Sequence, residues 1–420
     1  MPGRYIHCSA GNGGVIGGHP TAKFQVRGTD LGFLFVGGKG QWVGGLFGDT
    51  YNAEHPLDPN PNKDWRSPVM GRTSNRDFLT RGIYWDNFAG SPNTGGRAKQ
   101  IYPYRHIGEN GTINGQNFDA FTIIPNDAIQ LPDGHYMGMS FRVKDWKSDD
   151  GQAMCHTISN AWFHSWEPHA DSWEPAWDVE RRRLLEWDKN DPRDRFFQNA
   201  SFLMVPGDDN VYVFGSREGR KIGTGGEADG VWLRRCHWQH LWERSAWEYW
   251  GWTGSRWEWG KHVMPTPILK PVTPGQCIGE LNAQYIGGKV VLTYSDAVLG
   301  AVALTADRPD SIWSAPVVMV NRIQEPAQYA PSVHPWSTDL SNAYVHISSW
   351  LKAPGDVTVN YCTKGYRASL VAQAPSWFNV NAISLKSEVL APDTAAMTTA
   401  ERETFIADIQ AASAEASRAV

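Results

Sequence analysis

Apolar and polar residues alternate with a period of two in short runs from about residue 22 to residue 390, and each run ends in a cluster of Gly, Pro, Asn or Asp. That is the signature of hairpins in series. Clear examples span residues 29–51, 131–143, 202–216, 280–296 and 343–350. Several share one layout: a strand, a Gly-containing turn, a second strand and a Trp-bearing stretch, as where Ile312, Trp313 and Pro316 follow the 280–296 hairpin. Radial repetition of four-stranded sheets removes exposed strand edges, and about five such modules fit the length. The pattern predicts an all-β five-bladed β-propeller over residues 1–392, with a jelly roll or sandwich as the alternative architecture.

Two stretches depart from this pattern. Residues 146–200 form a Trp-rich segment expected as an insertion, with a short helix around 178–187 and a doubled Ser-Trp-Glu-Pro at 165–168 and 172–175. Its aromatic residues suit packing of a long loop onto the propeller face or the lining of a sugar groove. After Pro392 the chain turns rich in Ala and Glu, with Thr398 or Thr399 as cap and Glu401 or Glu403 in the first turn, so residues 393–420 are expected as a helical tail. Phe405, Ile406, Ile409 and Ala412 fall at helical spacing and would dock on the body or on another chain.

Composition narrows the function classes. The 420 residues include 42 Gly, 26 Pro and 21 Trp, which favours constant chain reversal over long helices. Lys and Arg number 39 against 44 Asp and Glu, interspersed, so there is no basic stripe for a nucleic acid. Five scattered cysteines, Cys8, Cys155, Cys236, Cys277 and Cys362, match neither a zinc ribbon nor a disulfide framework and are expected as free thiols. The opening residues lack the apolar run of a signal peptide and no stretch reaches the length of a membrane span. The expectation is a product made in the cytoplasm that needs neither membrane nor cofactor. His156, His164 and His169 beside Cys155 match no metal-ligand spacing, and the Gly-rich run at 219–230 lacks the ending of a phosphate loop.

The strongest chemical signal is a pair of carboxylates, Asp30 at the start of one strand and Asp49 at the end of the next. A turn centred on Gly37–Gly40 brings them opposite or diagonal on one face, with Cβ atoms about 4.5–8 Å apart. Two like charges so placed separate in pKa, giving one group that holds a proton and one that stays ionised. Glycoside hydrolysis needs that division. An Asp at a strand end also caps turns, which is the plain alternative for either residue alone. Retention is expected at a carboxylate separation of about 5–5.5 Å and inversion at about 6.5–9.5 Å, and cross-strand neighbours favour the shorter distance.

The Thr29-Asp30-Leu31-Gly32 and Phe47-Gly48-Asp49-Thr50-Tyr51 segments resemble those of actinobacterial and phage endo-D-arabinanases, five-bladed propellers long described as a domain of unknown function. The resemblance covers roughly residues 22–375 and continues in order. It passes through Pro125 and Tyr136–Ser140, then Val211–Ser216 with Gly219 and Arg220, then Trp247–Trp250. Gly279-Glu280 with Tyr294 follows, and then Tyr329-Ala330-Pro331, His334-Pro335-Trp336 and Ser348-Ser349-Trp350. The chain departs from it in the 146–200 segment and in Ser216, where Thr is usual. The resemblance implies catalysis by Asp30 and Asp49 on cell-wall D-arabinan, such as that of arabinogalactan.

Secondary expectations follow from residue type and place. Glu280 is a candidate third acid that tunes the pair or holds a sugar hydroxyl. Asp86 beside Trp85 is a candidate sugar platform, and Arg72, Arg220 and His334 are candidate glycan contacts. Without a leader, the protein is expected to reach the host envelope in a phage tail, its helical tail meeting other tail proteins, or by lysis. The competing reading is a non-catalytic adhesin that binds the same glycan. A sialidase-like propeller is disfavoured by the absence of Asp boxes.

Overall fold

Five antiparallel sheets follow one another in the computed structural model, which describes residues 3–12, 20–52, 64–91, 96–104, 120–145, 156–217, 229–353 and 357–372. The first blade runs outward through Leu31–Gly37, Trp42–Phe47, Val69–Thr73 and Asn87–Phe88. The second uses Thr122–Gln130, Tyr136–Asp145, His156–Ser165 and Glu186–Asp188. In the third, Asn199–Met204, Asn210–Ser216 and Trp232–His237 are followed by the outer hairpin Glu248–Trp252 and Trp257–Gly260. The fourth comprises Leu281–Ile286, Lys289–Asp296, Gly300–Ala306 and Val317–Asn321. The fifth has Gln328–Val333, Ala343–Ala353 and Val357–Ala368, and its outermost strand is Arg4–Asn12 from the other end of the chain.

The five innermost strands each contact the next around a ring, including the fifth against the first, so the architecture is a five-bladed β-propeller. Polar side chains stitch the ring between blades. Leu34 N donates to Ser332 Oγ at 3.0 Å, Ser332 Oγ to Asn282 Oδ1 at 3.1 Å, Ala283 N to Ser201 Oγ at 2.9 Å, and Phe202 N to Asp127 Oδ2 at 2.9 Å. Gln284 Nε2 of the fourth blade reaches Leu34 O of the first at 2.8 Å, across the ring. These bonds give buried backbone groups of neighbouring blades their partners, the condition for packing sheets face to face.

Aromatic side chains fill the gaps between blades. Trp162, Trp187 and Trp247 are fully buried between the second and third blades, with Trp162 and Trp187 each edge-on to Trp247 at centroid distances of 5.4 and 5.2 Å. Truncating one such residue costs roughly 3–5 kcal/mol. Between the first and second blades Phe35 meets Tyr136 edge-on and Trp42 stacks on it.

The helix expected at 178–187 is absent. Trp177–Asp178 pairs with Arg183–Leu184 instead, and Glu186–Asp188 adds a strand to the second blade. The reason is local: Asp178 Oδ1 accepts the backbone N–H groups of Glu180 and Arg181 at 2.9 and 3.0 Å, and Arg182 sits at φ 53°. A turn therefore replaces the first helical turn. Part of the 146–200 segment belongs to the second blade: His156–Ser165 is that blade's third strand. The expected C-terminal helix lies outside the described residues.

Candidate active site

Inner strands of all five blades start at one end of the ring, and the residues there are the mouth of the channel. Asp30 immediately precedes the first inner strand, Glu280 precedes the fourth, Thr122 opens the second, and Tyr329 lies one residue into the fifth. Asp49 follows the second strand of the first blade and returns to the same end.

The hairpin register pairs Phe33 with Leu46 and Val36 with Val43, and the bridge Gly28–Tyr51 keeps that register beyond the strands. Between them the ladder is irregular: Leu31 pairs with Phe47, and Leu31 and Gly32 adopt φ of 61° and 80°. A bulge of this kind re-aims side chains. Thr29 and Thr50 meet hydroxyl to hydroxyl at 2.7 Å, while Asp30 and Asp49 turn to donors on the two neighbouring blades. Strict alternation along an unbroken ladder, the basis for expecting direct cross-strand neighbours, does not hold at this end of the hairpin.

Asp30 is buried, and its Oδ2 accepts the Tyr329 hydroxyl at 2.9 Å. Gly48 lets it fit: a Cβ there would lie 2.5 Å from Asp30 Oδ1 and 2.8 Å from Leu31 Cδ1. Gly48 N also donates to Asp30 O at 3.2 Å. Asp49 is half-buried, and its Oδ1 accepts Trp65 Nε1 at 2.7 Å and Thr122 Oγ1 at 3.3 Å. The two carboxylates act on the same neighbours. The Tyr51 hydroxyl is pushed well up by burial and then by Asp49 and Asp30, and that of Tyr361 by burial and then by Asp30, Tyr329 and Asp49. Both phenols therefore stay protonated as donors at neutral pH.

Aromatic rings wall this end. Tyr51 stacks on Trp65 with centroids 6.5 Å apart, Phe121 meets Trp65 edge-on at 5.6 Å, and Tyr361 lies against Tyr51 at 6.4 Å. Leu31 and Ala330, which follow Asp30 and Tyr329, both have positive φ, at 61° and 50°. Non-glycine residues seldom adopt that conformation, and strain of this kind gathers at functional sites.

The other expected site residues separate. Glu280 is buried at the same end of the ring as Asp30, on the fourth blade. Arg72 is a strut: its Nε donates to Asn87 Oδ1 at 2.7 Å and its Nη1 to His169 O at 2.6 Å and Asp171 Oδ1 at 2.8 Å, joining the first blade to a loop of the second. Trp85 is buried beneath the backbone of Gly45 and Gly71, with no room for a Cβ at either, and is no platform. Asp86 Oδ2 accepts Ser74 N and Oγ at 2.7 and 2.8 Å and closes a turn. His334 is fully buried past the far end of the fifth inner strand, stacked on Phe78 at 3.8 Å. Arg220 lies outside the described residues. The residues that do hold the carboxylates, Trp65, Thr122 and Tyr329, carried no separate signal as partners, since two of them come from other blades.

Groups of three or more His, Cys, Asp or Glu placed to hold a metal ion are absent among the described residues. Cys8, Cys236 and Cys362 are free thiols, and Cys155 lies outside the described residues.

Among solved structures, the chain is similar in fold to a putative hydrolase from Bacteroides ovatus, with TM-score 0.49, 11% identity, and 82% of this chain and 87% of that one covered. It is similar also to an α-L-arabinofuranosidase from Podospora anserina, with TM-score 0.45, 8% identity, and coverage of 88% and 98%. In sequence it resembles Notoamide biosynthesis cluster protein J′ of Aspergillus versicolor, 28% identical over 333 residues, which are 78% of this chain and 82% of that protein. The model of the family described as a domain of unknown function, DUF4185, matches residues 17–371, a span that takes in Asp30, Asp49 and all five inner strands. This chain belongs to the DUF4185 family.

Proposed function

We propose that the protein is a glycoside hydrolase that cleaves within D-arabinan chains of the actinobacterial cell wall, with Asp30 and Asp49 as its two carboxylates. One observation supports this reading: two aspartates at consecutive strand ends lie at the same end of the ring, Asp30 accepting from Tyr329 and Asp49 from Trp65 and Thr122. One carboxyl protonates the glycosidic oxygen as the bond to the anomeric carbon breaks. The other attacks that carbon or takes a proton from the water that does. Burial of Asp30 and the tyrosines around it limits water at the reacting bond, where electrostatic stabilisation of a cationic sugar counts most. Trp65 and Tyr329, both partly exposed, supply aromatic surface beside the pair, as an extended glycan requires. The choice of D-arabinan rests on the resemblance of the two aspartate segments, and the polymer's place puts the protein at a host envelope, carried on a virion or released by lysis.

The test is incubation of the purified protein, beside Asp30→Asn and Asp49→Asn, with mycobacterial arabinogalactan, followed by chromatography of released oligosaccharides. Fragments from the wild type and none from either variant support the reading. Retained binding without fragments from the wild type overturns it in favour of an adhesin.

A further inference from the structure

A second aromatic cluster lies at the opposite end of the ring. The second inner strand opens with Thr122 beside Asp49 and ends at Gln130, so the turn that follows it is roughly 25 Å from the carboxylates along the strand. That turn carries Asp133 and His135. His135 is stacked against Trp166 at 3.7 Å and an interplanar angle of 6°, and against Trp242 at 5.3 Å and 10°. Its Nε2 shares a hydrogen bond of 3.1 Å with His164 Nδ1. Trp166 belongs to the first Ser-Trp-Glu-Pro, and although one face covers His135 the residue is 64% exposed. Beside this stack is a cavity of about 250 Å³ lined also by Leu131, Trp238 and Gln239.

The lining defines the ligand. Burial lowers the pKa of His135 to about 4 and also lowers that of His164, so both rings are neutral at pH 7. Among the described residues, Asp133 is the one charged side chain lining the cavity, and neither Lys nor Arg lines it. Phosphate and carboxylate ligands are therefore disfavoured. Tryptophan surfaces next to neutral donors and acceptors suit a ring with apolar faces and hydroxyl edges. The volume falls below the range of roughly 300–1,000 Å³ that holds drug-sized molecules, which fits a single small ring.

We infer that this cavity is a second carbohydrate-binding site, which takes one sugar residue of the same polymer whose bonds are cleaved at the Asp30 end. The choice of polymer rests on the function proposed above. A remote foothold keeps a long chain at high effective concentration near the catalytic end and gives nothing to a short substrate.

Trp166→Ala tests it, since an exposed side chain can be removed without opening a core. Retention on insoluble arabinogalactan is measured in the Asp30→Asn background. KM and kcat are measured in the wild-type background on the polymer and on a short arabino-oligosaccharide. Loss of one aromatic surface is expected to weaken retention and raise the polymer KM about three- to tenfold, with kcat and the short-substrate kcat/KM unchanged. Trp252→Ala, an exposed tryptophan on the outer hairpin of the third blade, is expected to change neither. Unchanged retention and polymer KM in Trp166→Ala, or equal losses in both variants, overturn the inference. Trp166-dependent binding by a wild type that cleaves nothing supports this site while removing the catalytic reading.

Discussion

The Tyr329 hydroxyl donates to Asp30 Oδ2 at 2.9 Å, joining the fifth inner strand to the residue that opens the first. A hydrogen bond to a charged group contributes about 1.5–3 kcal/mol, and Asp30 is buried, where a lost donor is not replaced freely by water. Tyr329→Phe is expected to lower kcat on arabinan about ten- to a hundredfold with little change in KM, as for an interaction used in the transition state. A variant with wild-type kcat would show that this bond only holds the strand.

Gly48 is the second constraint on Asp30. Any side chain there puts a Cβ at 2.5 Å from Asp30 Oδ1, a separation atoms do not keep, so the carboxylate must move. Gly48→Ala is expected to cut kcat/KM about a hundredfold, the size of effect a displacement near 1 Å brings, while far-UV circular dichroism stays that of the wild type. Full activity in a folded Gly48→Ala protein would remove Asp30 from the reaction.

The periodicity of apolar residues carried the propeller and the hairpin that bears Asp30 and Asp49, because alternation and turn residues are local properties. What remained hidden was set by distant residues. The fifth blade is completed by Arg4–Asn12 pairing with Val357–Ala368, a contact between residues 349 to 363 positions apart. Trp65, Thr122 and Tyr329 reach the carboxylates only because the ring closes. Arg72, Trp85 and His334 have residue types frequent in sugar sites, and nothing in their local sequence distinguishes a glycan contact from a strut or a core ring. The helix expected at 178–187 failed for a local reason: the Asp178 turn signal outweighs the helix-forming Arg and Leu residues after it.

Arg72 gives a prediction of the opposite kind. Its guanidinium is buried and satisfied by Asn87, His169 and Asp171. Arg72→Met keeps much of the packing and loses these bonds, so Tm is expected to drop by a few degrees with kcat/KM on arabinan unchanged. A rise in KM at unchanged Tm would return Arg72 to the glycan-binding residues.

Acid lability follows from buried histidines. Burial lowers the pKa of His7, His135 and His346 to about 4, lowers that of His164, and holds His334 well below its ordinary value. Each is neutral when folded and, once unfolded, takes up a proton below about pH 6.5. Their contribution to stability is therefore full above pH 6.5 and lost progressively as pH falls toward 4. Three carboxyls oppose this: burial raises Asp127 to about 7, Asp229 to about 6 and Asp194 above the ordinary carboxylate range, so all three favour folding most at low pH and lose that contribution as pH rises through their raised values. The histidines outnumber them, and Tm is expected to fall between pH 6.5 and 5. Calorimetry at pH 5.5 in buffers of different ionisation enthalpy should show net uptake of more than about one proton on unfolding. Net release would mean that the buried carboxyls, and not the histidines, set the pH dependence.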